Sequence, residues 1–231
     1  MDGLENVERI MVDTPYGQPS SDLIKAKLKG VELLFLSRHG EDHSIPPHKV
    51  NYRANIWALN KLEVGSIVAV AAIGGITEAM LPGRVSIPDQ IIDYTWGREH
   101  TFFDGPEVEH IDFSWPYCSE LRNSLLDAAG SAGVDVVDGG TYGATQGPRL
   151  ESAAEIERME RDGCDIVGMT GMPEASLARE LGICYACCAV SANWAAGKSD
   201  REITMEEIGE NLKSGMDSVK AVIYSLIDSQ T

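Results

Sequence analysis

No histidine follows His110 in this 231-residue chain, and only five occur in all. Basic side chains are scarce as well: 19 Lys and Arg stand against 36 Asp and Glu, a formal net charge of −17. Such a field repels nucleic acid and anionic membrane, so an anionic ligand has to be captured by a local group of donors. No apolar run reaches the length of a membrane-spanning helix, and the opening MDGLENVERI is acidic and mixed, unlike a secretion signal. A cytoplasmic protein is expected. Internal repeats, low-complexity tracts and Pro/Gly/Ser-rich linkers are all missing, so one domain is expected over 1–231. The cysteine count of five is odd, which argues against a full disulfide framework. Cys184, Cys187 and Cys188 crowd into GICYACCAV, but no second Cys/His cluster completes a metal site; they read as core residues of a buried strand.

What is present is ordinary for a globular protein, 43% hydrophobic and 24% charged. Apolar runs suited to strands recur at VELLFLS, SIVAVAAI, VSIPDQII, DIVGM and ICYACCAVS, several without the alternation of a half-exposed strand. Helical patterns lie between them: KVNYRANIWALNKL, SELRNSLLDAAGSAG, SAAEIERMERDG with a Ser152-x-x-Glu155 capping box, and PEASLARELG. A last helix from about Thr204 carries Ile208, Leu212, Met216, Val219, Ile223 and Leu226 as one apolar stripe that should pack on a sheet. The alternation predicts an α/β fold with a central mixed, twisted sheet flanked by helices.

In such folds chemistry gathers at strand ends. The first apolar run stops at Ser37-Arg38-His39-Gly40. A guanidinium offers forked donors to a phosphate oxyanion and an imidazole adds a directed one; equally, the pair could be the first solvated residues after a core strand. L-x-R-H-G-E resembles the signature of the histidine phosphatases, but that family needs a second histidine late in the chain, and none follows His110.

RHGEDHSIPPHKVNYRANIWAL, AAIGGI, GPRLES, MTGMPEA and SANWAAGKS occur in that order. Together they resemble the trimeric purine nucleoside phosphorylase family, in particular its methylthioadenosine and methylthioinosine branch. The resemblance implies the nucleoside phosphorylase fold and cleavage of an N-glycosidic bond by phosphate, a co-substrate, with no cofactor and no metal. It assigns phosphate to Arg38, His39, Ala71, Ala72 and Thr170, and places Met169 under the ribose; Met169 could instead be a core residue closing a strand. Leu150, Glu151, Asn193, Trp194 and Ala195 fall at the base, with Asn193, Glu151 and His39 as the catalytic set. Glu151 matches a glutamate of 6-oxopurine enzymes, whose carboxylate accepts the N1–H that adenine lacks. Asn193 matches an asparagine of the same enzymes, able to face both N7 and O6. Alone, Glu151 could be only a helix-dipole partner and Asn193 only a turn former. Met205 falls where inosine-preferring members place a histidine for the 5′-hydroxyl; an apolar residue there, with Ile208 nearby, favours a methylthio group. His110 matches a position presented to a neighbour's pocket, which implies a homotrimer.

Family chains open with an additional strand and a G-G-[TS]-G turn that grips phosphate, and MDGLENVERIMVDTPYGQP aligns with the family segment just after that turn. The expected activity is phosphorolysis of 5′-methylthioinosine to hypoxanthine and 5-methylthioribose 1-phosphate, in purine salvage. An inosine/guanosine phosphorylase is the alternative within the class; a catalytically weak nucleoside-binding trimer, lacking one phosphate ligand, is the alternative outside it.

Overall fold

Two apolar strands, β4 (Ser66–Gly75) and β10 (Cys184–Trp194), run parallel at the centre of a seven-stranded sheet. The computed structural model describes residues 1–200 and 204–230. The remaining strands are β1 (Glu5–Ile10), β2 (Leu23–Leu28), β3 (Val31–Phe35), β5 (Val85–Ile87), β6 (Gln90–Asp93), β7 (Val136–Asp138), β8 (Thr141–Ala144) and β9 (Ile166–Gly168). The helices are α1 (Tyr52–Lys61), α2 (Ser119–Ala132), α3 (Ala153–Arg161), α4 (Gly171–Glu180) and α5 (Met205–Asp228). Strands β1, β2 and β3 form a small antiparallel sheet of their own, and the large one has the order β6-β8-β9-β4-β10-β5-β7. The α/β alternation expected from the sequence is the observed one.

The lack of alternation in β10 has a direct cause. Tyr185, Cys187 and Ala189 enter a core shared with Tyr52, Ile56 and Leu59 of α1 and with Leu177 of α4. Ala186, Cys188 and Val190 point the opposite way, into a core built from Leu121 and Leu125 of α2 and Val219, Val222 and Leu226 of α5. Both faces are covered, so both sets must be apolar. Each fully buried aliphatic side chain there contributes about 1.5–3 kcal/mol, which is how the predicted α5 stripe closes the sheet.

The run VSIPDQII is not one strand. Pro88 lacks an amide hydrogen and Asp89 turns inward, its Oδ1 accepting from the Gly140 N–H at 2.9 Å. The break sends β5 to pair with β7 and β10, while β6 pairs with β8. Because β5–β6 and β7–β8 are each joined by two residues, the sheet curls until its two edges meet. Gly139 and Gly140 have φ of +91° and +107°, a region open to glycine and costly to other residues.

One cysteine expectation is corrected. Cys184 is only half-buried and forms a disulfide with Cys118, the residue preceding α2, across 66 positions of sequence. Cys164, Cys187 and Cys188 are free and buried, as core residues. Burial pushes the Cys187 thiol well up and that of Cys188 to about 12, so both stay protonated. The bridge staples α2 to the start of β10. Loop-closure entropy for 66 residues corresponds to about 4 kcal/mol as an upper figure. Reduction, or Cys118→Ser with Cys184→Ser, is therefore expected to lower unfolding stability by about 2–4 kcal/mol in urea titrations, with no further effect of reductant on the double variant.

Candidate active site

A cavity of about 850 Å³ opens where the C-terminal ends of β4 and β10 face the loops after β3 and β9. This is within the size range of small-molecule sites. Arg38, His39, Ala71, Ala72, Leu150, Glu151, Met169, Thr170, Asn193, Ala195 and Ile208 all line it. Trp194 is half-buried outside that wall, and its backbone oxygen accepts from Asn193 Nδ2 at 2.6 Å. His110 is exposed on the loop between β6 and α2, away from the cavity. Met205 does not line the cavity either. It is the first residue of α5 and 80% exposed; at the helical period it shares a face with Ile208, Leu212 and Met216, which do line the wall, but it stands at the exposed end of that stripe.

Strand β3 delivers Arg38 into the protein, where its side chain is 16% exposed. Nε and Nη2 donate side-on to the Glu174 carboxylate at 2.9 and 2.7 Å, and Nη1 donates to the Val70 oxygen at 2.9 Å. Tyr185 Oη donates to the same carboxylate at 2.8 Å. Burial pulls the Arg38 pKa down, but the charge and hydrogen bonds of Glu174 outweigh it and leave the guanidinium firmly protonated. Three of its five N–H bonds are thereby used. The two left are one each on Nη1 and Nη2, so Arg38, which lines the cavity, can still meet an anion, with its plane fixed by Glu174. Glu174 lies within MTGMPEA, but nothing in the sequence singled it out for this role.

His39 is held differently from the expected donor. Its Nδ1 lies 2.8 Å from the Ile45 oxygen, which can only accept, so Nδ1 carries the hydrogen. Burial, aided by the neighbouring Arg38 charge, lowers the His39 pKa below its ordinary value. The ring is then neutral at pH 7 with a lone pair on Nε2, suited to accept from the hydroxyl of monohydrogen phosphate. Along β4, backbone groups alternate from side to side. Since the Val70 oxygen faces Arg38, the Ala72 N–H faces the same edge and is free of the β10 ladder. Thr170 precedes α4 without capping it, and it lines the cavity as a buried hydroxyl. Arg38, the Ala72 N–H and Thr170 thus present donors at one end, a local exception to the acidic surface.

The other end is built from β10 and the start of α3. A bulge between Ser191 and Asn193 inserts Ala192 into the β4–β10 register, and Asn211 of α5 captures the Ala192 oxygen at 2.9 Å. Bulges re-aim side chains; here the one affected is Asn193. Opposite, the Ser152–Glu155 capping box is formed as predicted and fixes the residue before it, Glu151. Glu151 Oε1 accepts from Thr145 Oγ1 at 2.6 Å, leaving Oε2 for a ligand. A carboxylate and an amide therefore line this end of the cavity, while Ile208, Leu212 and Met216 supply an apolar side.

Because Arg38 and Glu174 are buried together, Arg38→Gln or Glu174→Gln alone should cost about 3–5 kcal/mol by stranding the partner's charge. The double variant is expected to cost less than the sum by more than about 1 kcal/mol, as read by chemical denaturation of all four proteins. Additive losses would mean that the two side chains do not act as a unit.

Comparison with known proteins places this geometry. The sequence profile described as "Phosphorylase superfamily" matches residues 2–228. A probable S-methyl-5′-thioinosine phosphorylase of Xanthomonas campestris pv. campestris is 53% identical, over 96% of this chain and 90% of that protein. The 6-oxopurine nucleoside phosphorylase of Pyrococcus furiosus is 46% identical, over 96% of this chain and 86% of its own length. Among solved structures, a methylthioadenosine phosphorylase from an antarctic soil metagenomic library superposes with a TM-score of 0.94 at 36% identity, covering 99% of this chain and 81% of that one. The curled mixed sheet is the nucleoside phosphorylase fold, and with a match over nearly the whole chain this protein belongs to the phosphorylase superfamily.

Proposed function

We propose that the cavity phosphorolyses a 6-oxopurine nucleoside, with 5′-methylthioinosine as its substrate and hypoxanthine and 5-methylthioribose 1-phosphate as products. One observation carries this reading: Glu151 and Asn193 line the same cavity as Arg38 and Thr170. A phosphate oxygen attacks C1′ as the bond to N9 breaks, through a state with positive charge on the ribose, and the bonding pair leaves with the purine. Arg38, the Ala72 N–H, Thr170 and His39 hold phosphate. Glu151 Oε2 accepts the purine N1–H. Asn193 has one Nδ2 hydrogen on the Trp194 oxygen; the other stabilises charge developing at O6, and Oδ1 accepts the N7–H once a solvent water has given that nitrogen its proton, the hydroxide so formed being neutralised by the proton of the monohydrogen phosphate. Inorganic phosphate is the co-substrate and no cofactor or metal enters.

Choice at the 5′ end rests on the wall of Ile208, Leu212 and Met216. It offers a methylthio group an apolar contact, which supports methylthioinosine over inosine. A relative named for S-methyl-5′-thioinosine at 53% identity points the same way. His110 on an exposed loop fits a homotrimer in which it serves a neighbour's pocket. We place the enzyme in the cytoplasm, in purine salvage. Among the described residues no helix is long and apolar enough to cross a membrane. The Cys118–Cys184 bridge is the observation against a reducing compartment, and alkylation of the protein in intact cells decides that point.

Glu151→Gln is expected to lower kcat/KM for methylthioinosine roughly 10- to 100-fold, the range for losing a hydrogen bond to a charged group, with little effect on methylthioadenosine. Asn193→Asp should shift preference from the 6-oxo toward the 6-amino substrate, because a carboxylate repels O6. Equal losses on both substrates in steady-state assays would reduce these residues to structural ones and remove the base assignment.

A further inference from the structure

Arg98 is a buried cation outside the cavity wall, 9% exposed, and among the described residues none of its partners is a carboxylate. Nη1 donates to the oxygens of Met169 at 2.9 Å and Met172 at 2.5 Å and lies 3.2 Å from Tyr52 Oη. Nη2 donates to the oxygens of Thr145 at 3.1 Å and Gln146 at 2.9 Å, and Nε to Gln146 Oε1 at 3.2 Å. Burying a guanidinium without a counter-ion is costly, and here four backbone carbonyls, with the Gln146 amide oxygen and Tyr52, offset it. The position of those dipoles is informative. Met169 and Met172 bracket Thr170, and Thr145 is the residue whose hydroxyl donates to Glu151.

On the function proposed above, we propose that Arg98 is a positioning residue that couples base recognition to phosphate placement, by clamping the loop of Glu151 to the loop of Thr170. One planar fork spans both loops, so neither end of the cavity can shift without the other. A lysine keeps the charge but has a single nitrogen with three donors and cannot span both sets of carbonyls. Positional errors of about 1 Å between reacting groups can cost on the order of 100-fold in rate, so a small relaxation of this clamp is sufficient to be measured.

The test is Arg98→Lys, with Arg98→Ala as a second variant, compared with wild type in two quantities that do not depend on the fraction of active protein. The first is kcat/KM for methylthioinosine over methylthioadenosine; the second is KM for phosphate. Both should move by about 10-fold or more toward weaker discrimination and weaker phosphate binding. Tm shifts induced separately by phosphate, hypoxanthine and adenine read the same two properties without turnover. A wild-type protein that binds these ligands but never cleaves a nucleoside would sink the function proposed above while still reporting on Arg98. The clamp is overturned if the folded variants lose only active fraction or Tm with both properties at wild-type values. It is equally overturned if only one property moves, or if neither variant yields soluble protein with native circular dichroism, which would make Arg98 a fold determinant alone.

Discussion

The buried pair of Arg38 and Glu174 is the contact on which the site depends. Taking both charges out of water has a desolvation cost that rivals their attraction, so stability alone does not account for it. Its effect is geometric. Glu174 sits at the start of α4 and Arg38 just after β3 of the small sheet, while the Val70 oxygen adds β4 and Tyr185 adds β10, both of the large sheet. One guanidinium plane therefore fixes four elements relative to each other. Arg38 also lines the cavity, and a protein with a net charge of −17 has there a rigid place to hold an anion.

The rest of the cavity follows from how β4 and β10 end. They run together through the bulge at Ala192, beyond which Asn193 pairs with Gly74 and Trp194 with Gly75, and the shifted register leaves Asn193 lining the cavity. Gly168, at the end of β9, lets the loop toward Thr170 approach Tyr142; a Cβ there would lie 2.1 Å from the tyrosine oxygen. Packing on one side and a cleft on the other are produced by the same strand ends, as is general for open α/β sheets.

Much of this was legible in the sequence, for identifiable reasons. Strands covered on both faces leave long apolar runs, so β4 and β10 could be read directly, and the α3 capping box is a local signature that the fold reproduced. Strand β1 is ENVERI, exposed along nearly all its length, and carries no hydrophobic period to detect. Strands β7 and β8 span three and four residues, too short for any period. The sheet's closure depends on Pro88-Asp89 meeting Gly139-Gly140, and the disulfide joins residues 66 apart; neither contact has a local cue. Ordered motifs carried the site through a resemblance, but Met205 stands at the exposed first residue of α5, at the end of the stripe whose Ile208, Leu212 and Met216 line the cavity; how far along the helix the wall reaches has no local cue. Arg98, a lone arginine in WGREH, had no signal at all.

The account's central claim is that one cavity joins phosphate at Arg38 to a 6-oxopurine at Glu151 and Asn193. The most direct measurement is release of free base by the wild-type protein from methylthioinosine, inosine and methylthioadenosine in parallel, with and without phosphate. The account predicts strictly phosphate-dependent release, with the highest kcat/KM for methylthioinosine. Release that ignores phosphate, or a preference for methylthioadenosine, would contradict it.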